Sequence, residues 1–219
     1  MRLTFHGHAC VRLDNDDTIL TLDPGAYSQA ASALTGATAV LVTHDHQDHV
    51  DVAAVVAAMR ADPVLPVYAS GPAAQTLVDG GAPADRVHAV RPGQELTVGA
   101  ARVVVGGGDH ALIHPRIPQA VNVTYRVEFG GRSVYHPGDS FDLPAGPVDV
   151  LLTPVSGPWM KLGEAIDYAA AAEAPVLVPI HDALLTEIGH GMTQRQLSAP
   201  ALVGERSYRR LRPGESLDV

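Results

Sequence analysis

The amino-acid sequence predicts a layered α/β domain, and three observations carry that expectation. Short apolar runs rich in β-branched residues recur at 39–42, 101–105, 148–153 and 175–180, and each reads as a buried strand. Stretches of helical apolar spacing at 51–59, 70–78 and 162–172 are interspersed with them, so strands and helices alternate. Histidine and aspartate then follow several of the apolar runs directly, which puts polar chemistry at strand tips. With 219 residues, 46% hydrophobic and 18% charged, the chain has the size and composition of one globular domain, residues 1–219. No long linker, short-period repeat or low-complexity segment divides it.

From the N-terminus, residues 2–5, 9–13 and 18–22 read as three strands. Asp14-Asn15-Asp16-Asp17 turns the second into the third, and Asp23-Pro24-Gly25 stops the third. His6 and His8 flank Gly7 in the first turn, and Cys10 falls at alternation spacing for a core position. After the strand at 39–42, Asp51 can cap a helix through Met59. Apolar residues fall on nearly every face of that helix, so it is expected to be largely buried. A strand at 66–69 leads to Ser70, expected to cap a second helix that Gly80-Gly81 ends. Strands at 87–90, 95–98 and 101–105 follow, with Arg91-Pro92-Gly93 as a turn, and Gly106-Gly107-Gly108 reads as a close backbone turn before His110. Residues 121–129 place Val121, Val123, Tyr125, Val127 and Phe129 on one face, and Gly130-Gly131 returns the chain along 132–136 as a hairpin. A strand at 148–153, a helix at 162–172 and a strand at 175–180 come next. The basic run Arg206 to Arg212 reads as a solvated tail or a final edge strand.

Composition excludes several classes. No apolar run approaches the roughly 20 residues of a membrane span, and M-R-L-T-F-H-G-H lacks the apolar core of a secretory leader. One cysteine rules out an internal disulfide and fits a reducing cytoplasm, the expected location. A net charge of −9 argues against a long nucleic acid as partner. The expected partner is a small molecule. Whether the chain forms a homo-oligomer is left open.

The chemistry concentrates in T-H-D-H-Q-D-H at 43–49, directly after Ala39-Val40-Leu41-Val42. In extended backbone His44 and His46 project to the same side and can grip one cation. Asp48 and His49 follow as the chain turns, and a carboxylate beside an imidazole can serve a second. His110 and His114 are both available after the strand at 101–105, and spacing alone does not choose between them. Imidazole and carboxylate without thiolate suit zinc first, with manganese or iron as alternatives. No G-x-S-x-G, P-loop or dinucleotide fingerprint competes.

The segment resembles the H-x-H-x-D-H signature of the metallo-β-lactamase superfamily, and Y-H-P-G-D-S at 135–140 resembles its Y-H-x-G-D-T. The resemblance implies a four-layer αββα fold, two mixed sheets sandwiched between helices. It also implies a dinuclear centre, with His44, His46 and His110 on one ion, Asp48, His49 and His181 on the other, and Asp139 bridging. It favours His110 over His114, because the family's lone histidine comes immediately after its strand. His181 takes the closing position on P-I-H, and His136 is a strand-end or supporting group. Asp48 and Asp139 are the carboxylates expected to carry catalysis. The implied activity is a hydrolase that uses a hydroxide held by both ions to cleave a small ester, lactone or phosphodiester.

G-H-A-C at 7–10 resembles the opening of the ascorbate-6-phosphate lactonase-like branch, where that turn lies near the metals. His8 is therefore a candidate supporting group or substrate contact. His114, Trp159 in its Pro/Gly loop and Lys161, the only lysine, are further candidate substrate contacts, and Lys161 could meet an anionic substrate. Two alternatives accompany this reading. One is a nuclease-type phosphodiesterase, against which the short chain and acidic charge speak. The other is a di-iron redox protein, whose relatives carry a flavin domain and an extra acidic ligand that are not visible here.

Overall fold

The computed structural model describes residues 1–219. Two seven-stranded mixed sheets pack face to face, with helices on both outer surfaces, giving the four-layer αββα metallo-β-lactamase fold. In the first sheet, β1 (Arg2–Gly7), β2 (Cys10–Asn15) and β3 (Thr18–Leu22) form an antiparallel meander. β4 (Ala39–Val42), β5 (Val67–Ser70) and β6 (Val87–Val90) continue it in parallel. The second sheet begins with the antiparallel β7 (Glu95–Val98), β8 (Ala101–Asp109), β9 (Val121–Phe129) and β10 (Arg132–His136). β11 (Val150–Pro154), β12 (Val176–Ile180) and the edge strand β13 (Ser207–Tyr208) extend it in parallel. A last strand, β14 (Ser216–Asp218), closes the free edge of β1.

Alternation decides what each sheet buries. Leu3, Phe5, Leu13, Leu20 and Leu41 from the first sheet meet Val103, Tyr125, Val127, Val150 and Leu152 from the second in one continuous core. α1 (Ala30–Ala33), α2 (Val52–Ala61) and α3 (Gly71–Asp79) lie on the first sheet's outer side, where Val55, Val56, Met59 and Leu77 pack onto Val40, Val42 and Val67. α4 (Leu162–Ala172), α5 (Glu187–Leu197) and α6 (Pro200–Val203) cover the second sheet with Tyr168, Ala169, Leu197 and Val203. No helix is long and apolar enough to cross a membrane.

Three local readings change, and one segment left unassigned gains a helix. α2 is capped by Asp51, whose carboxylate accepts from the Ala54 N–H at 3.0 Å, but it buries only one face. Alanine contributes too little apolar area to force a surface inward, so Ala53 and Ala57 stay exposed. Ser70 occupies the N-cap of α3 without a side-chain bond, and Pro72 in the first turn starts that helix. Gly106, Gly107 and Gly108 are not a turn: they extend β8 as ladder partners of Thr124, Val123 and Asn122. A Cβ on Gly106 or Gly107 would press into the Thr124 side chain, so glycine is what lets β8 and β9 pair to their ends. Finally, 187–197 is helical despite Gly189 and Gly191, started by Thr186, whose hydroxyl accepts from the Gly189 N–H at 3.3 Å.

Candidate metal centre

The direction of the strands assembles the site. β1, β3, β4, β8, β10 and β12 all point toward one end of the sandwich, so the residues following them share an edge. Those residues are His8, Asp23, His44 to His49, His110, Asp139 and His181. The sheets are joined at this end by polar ties as well as apolar packing. The Val123 N–H donates to the Thr43 carbonyl at 3.0 Å, and the buried Tyr125 hydroxyl lies 3.0 Å from the carbonyls of both Val42 and Tyr68. Buried Asn122 holds the Asp139 loop, donating to the Pro137 carbonyl at 2.9 Å and accepting from the Asp139 N–H at 3.0 Å.

Two groups of potential ligand atoms result, one from His44, His46, His110 and Asp139, the other from His8, Asp48, His49 and His181, and within each group the atoms lie within 4.8 Å of one another. Asp139 stands between the groups. Its Oδ2 is 3.2 Å from His110 Nε2 and 3.1 Å from His181 Nε2, and its Oδ1 is 3.0 Å from His49 Nε2. Asp48 Oδ2 is 3.4 Å from His181 Nε2. The structure thus brings together all seven of the residues nominated as ligands, and it places His110 there with His114 outside.

Hydrogen bonds behind the imidazoles fix which nitrogen faces inward. Asp23 is fully buried and accepts from the Thr43 N–H, the Thr43 hydroxyl and His49 Nδ1, each at 2.7 Å. His49 Nδ1 therefore carries the proton and Nε2 is free to coordinate. The Thr43 hydroxyl, having donated to Asp23, accepts from His44 Nδ1 at 2.9 Å, which aims His44 Nε2 inward too. His110 Nδ1 donates to the Ala111 carbonyl at 2.6 Å with the same effect. Asp23 is the supporting residue that sequence reading passed over: D-P-G is a good turn signal, and nothing local distinguishes it from a carboxylate that reaches across to β4.

A sequence model described as the Beta-lactamase superfamily domain matches residues 2–181. The chain belongs to the metallo-β-lactamase superfamily. Protein Rv0786c of Mycobacterium tuberculosis is 38% identical over 200 residues, covering 90% of this chain and 92% of that protein. A UPF0173 metal-dependent hydrolase of Methanoculleus marisnigri is 29% identical over 233 residues, covering 100% of this chain and 97% of its own. Among solved structures, the metallo hydrolase Igni18 of Ignicoccus hospitalis superposes with a TM-score of 0.76 at 19% identity, over 99% of this chain and 97% of that one, a likeness of fold.

In this metallo-β-lactamase superfamily chain the electrostatics call for added positive charge. Burial works against ionising Asp139, yet the charge of His49 and the approach of His110, His181 and His49 hold its carboxyl well below the usual range. Burial is likewise outweighed at Asp48, by His181 and His8 and the charge of His49. Burial would neutralise His49, but Asp139 and Asp23 on its two nitrogens raise its pKa well above the ordinary imidazole value. His181 is pushed up to about 9, again against burial, by Asp139 and Asp48. Without a metal, protons on imidazoles neutralise the carboxylates; cations would replace them. His49 Nε2, His110 Nε2, His181 Nε2 and Asp139 Oδ1 are all buried with no hydrogen-bond partner, as ligand atoms waiting for a cation would be. The donor set fits divalent ions.

The remaining candidates fall in different places. His8 is buried; its Nδ1 accepts from the Ala183 N–H at 3.3 Å, so Nε2 carries the proton it gives to Asp48 Oδ2 at 3.0 Å. Through that bond it steadies Asp48. Trp159 is also buried, its Nε1–H donating to Asp139 Oδ2 at 2.9 Å. His114 is exposed and accepts from its own loop, the Arg116 N–H, at 3.1 Å, while exposed Lys161 occupies the N-cap position of α4. His136 is a buried strand-end residue whose Nε2 lies 2.9 Å from the Ala9 carbonyl. Backbone strain gathers here as well: His8, Asp23 and His181 adopt φ of 55°, 45° and 57°, in the left-handed region that side chains avoid.

Proposed function

We propose that the chain is a metal-dependent hydrolase that cleaves a small ester, lactone or phosphodiester, with His44, His46 and His110 holding one divalent ion, Asp48, His49 and His181 a second, and Asp139 between them. The observation that carries this reading is the convergence of unpartnered, buried ligand atoms from both sheets on one carboxylate. The imidazole nitrogens of His49, His110 and His181 are held 3.0–3.2 Å from Asp139 without hydrogen-bond geometry, a spacing that shared cations would satisfy. Divalent ions bound there would polarise the scissile group and bring the pKa of a coordinated water toward about 7.

The chain's own residues do the rest. Asp23 and Thr43 set the tautomers of His49 and His44, and His8 and Trp159 anchor Asp48 and Asp139 by single donated bonds. The two carboxylates offset the repulsion between neighbouring dications. Asp48, with 19% of its side chain exposed against 3% for Asp139, is the one placed to exchange a proton with water or substrate. Zinc suits this donor set first, manganese or iron next. G-H-A-C, Y-H-P-G-D and P-I-H support a place in the lactonase-like branch. Metal analysis of protein purified without added metal, with a screen of lactones, carboxylic esters and phosphodiesters, tests the reading. Two zinc or manganese ions per chain with turnover on one class is expected. Iron with oxygen consumption, or a chain that takes up no divalent ion, overturns it.

A further inference from the structure

Several loops at the ligand-bearing edge expose apolar side chains. Leu112 is 54% exposed, Ile117 and Tyr27 47%, and Leu184 62%. Each lies on a segment that follows a ligand or supporting residue: Tyr27 after Asp23, Leu112 and Ile117 after His110, Leu184 after His181. Tyr27 reaches the second ligand group, its ring 5.4 Å from that of His8. The first group has a built recess. A cavity of about 30 Å³, roughly one methyl group's worth of space, is lined by His46, His110 and Gln119 together with Ile113, Ile117 and Pro118. No Asp, Glu, Lys or Arg lines it; the cations of the neighbouring loops, Arg116 and Lys161, lie outside. A larger cavity of about 490 Å³ between α1 and α2 contains none of these residues and has no connection with the ligands.

Exposed apolar groups scattered singly need no explanation, but here Tyr27 stands beside one ligand group and Ile117 closes a recess against two imidazoles of the other. No cationic side chain lines the recess, so a phosphorylated group seated in it and turned away from the ions would be desolvated without a partner. We infer that the substrate is a neutral carboxylic ester or lactone whose short alkyl portion seats in the Ile113–Ile117–Pro118 recess and runs out over Leu112 and Tyr27. This names the substrate class of the hydrolase reading and rests on it. It also departs from the anionic substrate to which Lys161 pointed.

The test uses metal-loaded full-length protein and separates binding from turnover. Acetate, propionate, butyrate and hexanoate serve as product analogues in calorimetric titrations, alongside inorganic phosphate and glycerol phosphate. Because the head group is constant, affinity should rise by about threefold to fourfold for the first methylene removed from water, which fills the recess, with smaller gains for those beyond it. Ile117→Asp should flatten that series, with circular dichroism showing it folded; Leu112→Asp provides the second variant should it not be. A flat or falling series overturns the inference; phosphate, which the ions bind directly, serves only as the reference ligand that leaves the recess empty. If the gradient is present but no ester or lactone is cleaved, the recess stands and the hydrolase reading falls. Turnover of 4-nitrophenyl esters without any chain-length dependence in kcat/KM does the reverse. A stable dimer in sedimentation that Leu184→Asp dissociates, with tighter butyrate binding by the freed monomer, would assign the apolar rim to a second copy of the chain and overturn the inference.

Discussion

Asp23→Asn isolates the support of one ligand without touching a ligand. The side chain is fully buried and nearly isosteric with its replacement, so packing is conserved. Its Oδ1 accepts only the Thr43 N–H, a bond that an amide oxygen keeps. Its Oδ2 accepts from both the Thr43 hydroxyl and His49 Nδ1, and there an amide presents N–H instead. His49 must then turn Nδ1 into an acceptor, which moves its proton to Nε2, the atom 3.0 Å from Asp139 Oδ1. An imidazole protonated at its inward nitrogen has no lone pair for a metal. Loss of such support lowers metal affinity roughly 10–100-fold, or about 1.4–2.7 kcal/mol. The loss should fall mainly on one ion, because His110 keeps the Ala111 carbonyl, and the Thr43 hydroxyl, although its own proton loses Asp23 Oδ2, still accepts from His44 Nδ1. Competition against a chromophoric chelator, followed as two binding steps, reads this directly: one step weakens and the other holds. Two steps of unchanged affinity would refute the tautomer argument, and equal weakening of both would show that Asp23 supports the whole edge and not His49 in particular.

Three further outcomes follow from the same geometry. Asp139→Ala should lose one metal and nearly all turnover, since it removes the one carboxylate that both groups share; full activity with two ions by elemental analysis would contradict the bridging assignment. Trp159→Phe keeps ring packing against Phe141, 5.3 Å away, but deletes the N–H given to Asp139; denaturant unfolding of the metal-free protein should show a loss of about 1–2 kcal/mol with metal stoichiometry unchanged. Asp149 lies away from the site. Burial opposes its charge, but bonds from the Ser133 hydroxyl and N–H and from Arg132 together outweigh it and hold its pKa below the usual value. A depressed carboxylate pKa adds stability above the unfolded-state value of about 3.9, and that stability is lost as pH falls through the folded-state value. Asp149→Asn should accordingly lower Tm at pH 7, by about 1 kcal/mol in unfolding free energy, and the gap from wild type should narrow below about pH 4.

Much of the fold could be read from the chain because its elements obey local rules. The run 39–42 is apolar throughout because β4 lies inside a sheet covered on both faces, and 121–129 alternates because successive side chains of β9 face opposite ways. The candidate ligands stood out for a related reason: a strand tip that must present imidazole at once leaves histidine just after an apolar run. Supporting residues lack that adjacency. Asn122 sits inside β9 as an ordinary polar position, and only the pairing of the two sheets shows it holding the Asp139 loop. Trp159 offered a loop tryptophan and nothing about where its N–H would point. Gly106 to Gly108 misled in the other direction, since glycine permits a turn and a crowded strand equally, and the Thr124 side chain decides which.

The division between legible and hidden parts matches a division of labour within the site. Ligand identity is set by residues one to seven positions beyond their strands, whereas ligand orientation is set by bonds between segments far apart in sequence: Asp23 to His49, Trp159 to Asp139, and the His8 carbonyl accepting the His181 N–H at 2.8 Å. Gly25 shows how tightly those segments are pressed together, since a Cβ there would overlap the Asp48 backbone. Gly25→Ala should therefore displace Asp48 while leaving His44 and His46 on their own strand tip. The expected result is selective weakening of the ion held by Asp48, His49 and His181, read in the same two-step chelator competition, with little change at the other. If Gly25→Ala binds both ions as wild type does, the loop after β3 is free to move aside, and the centre is held by its ligands alone.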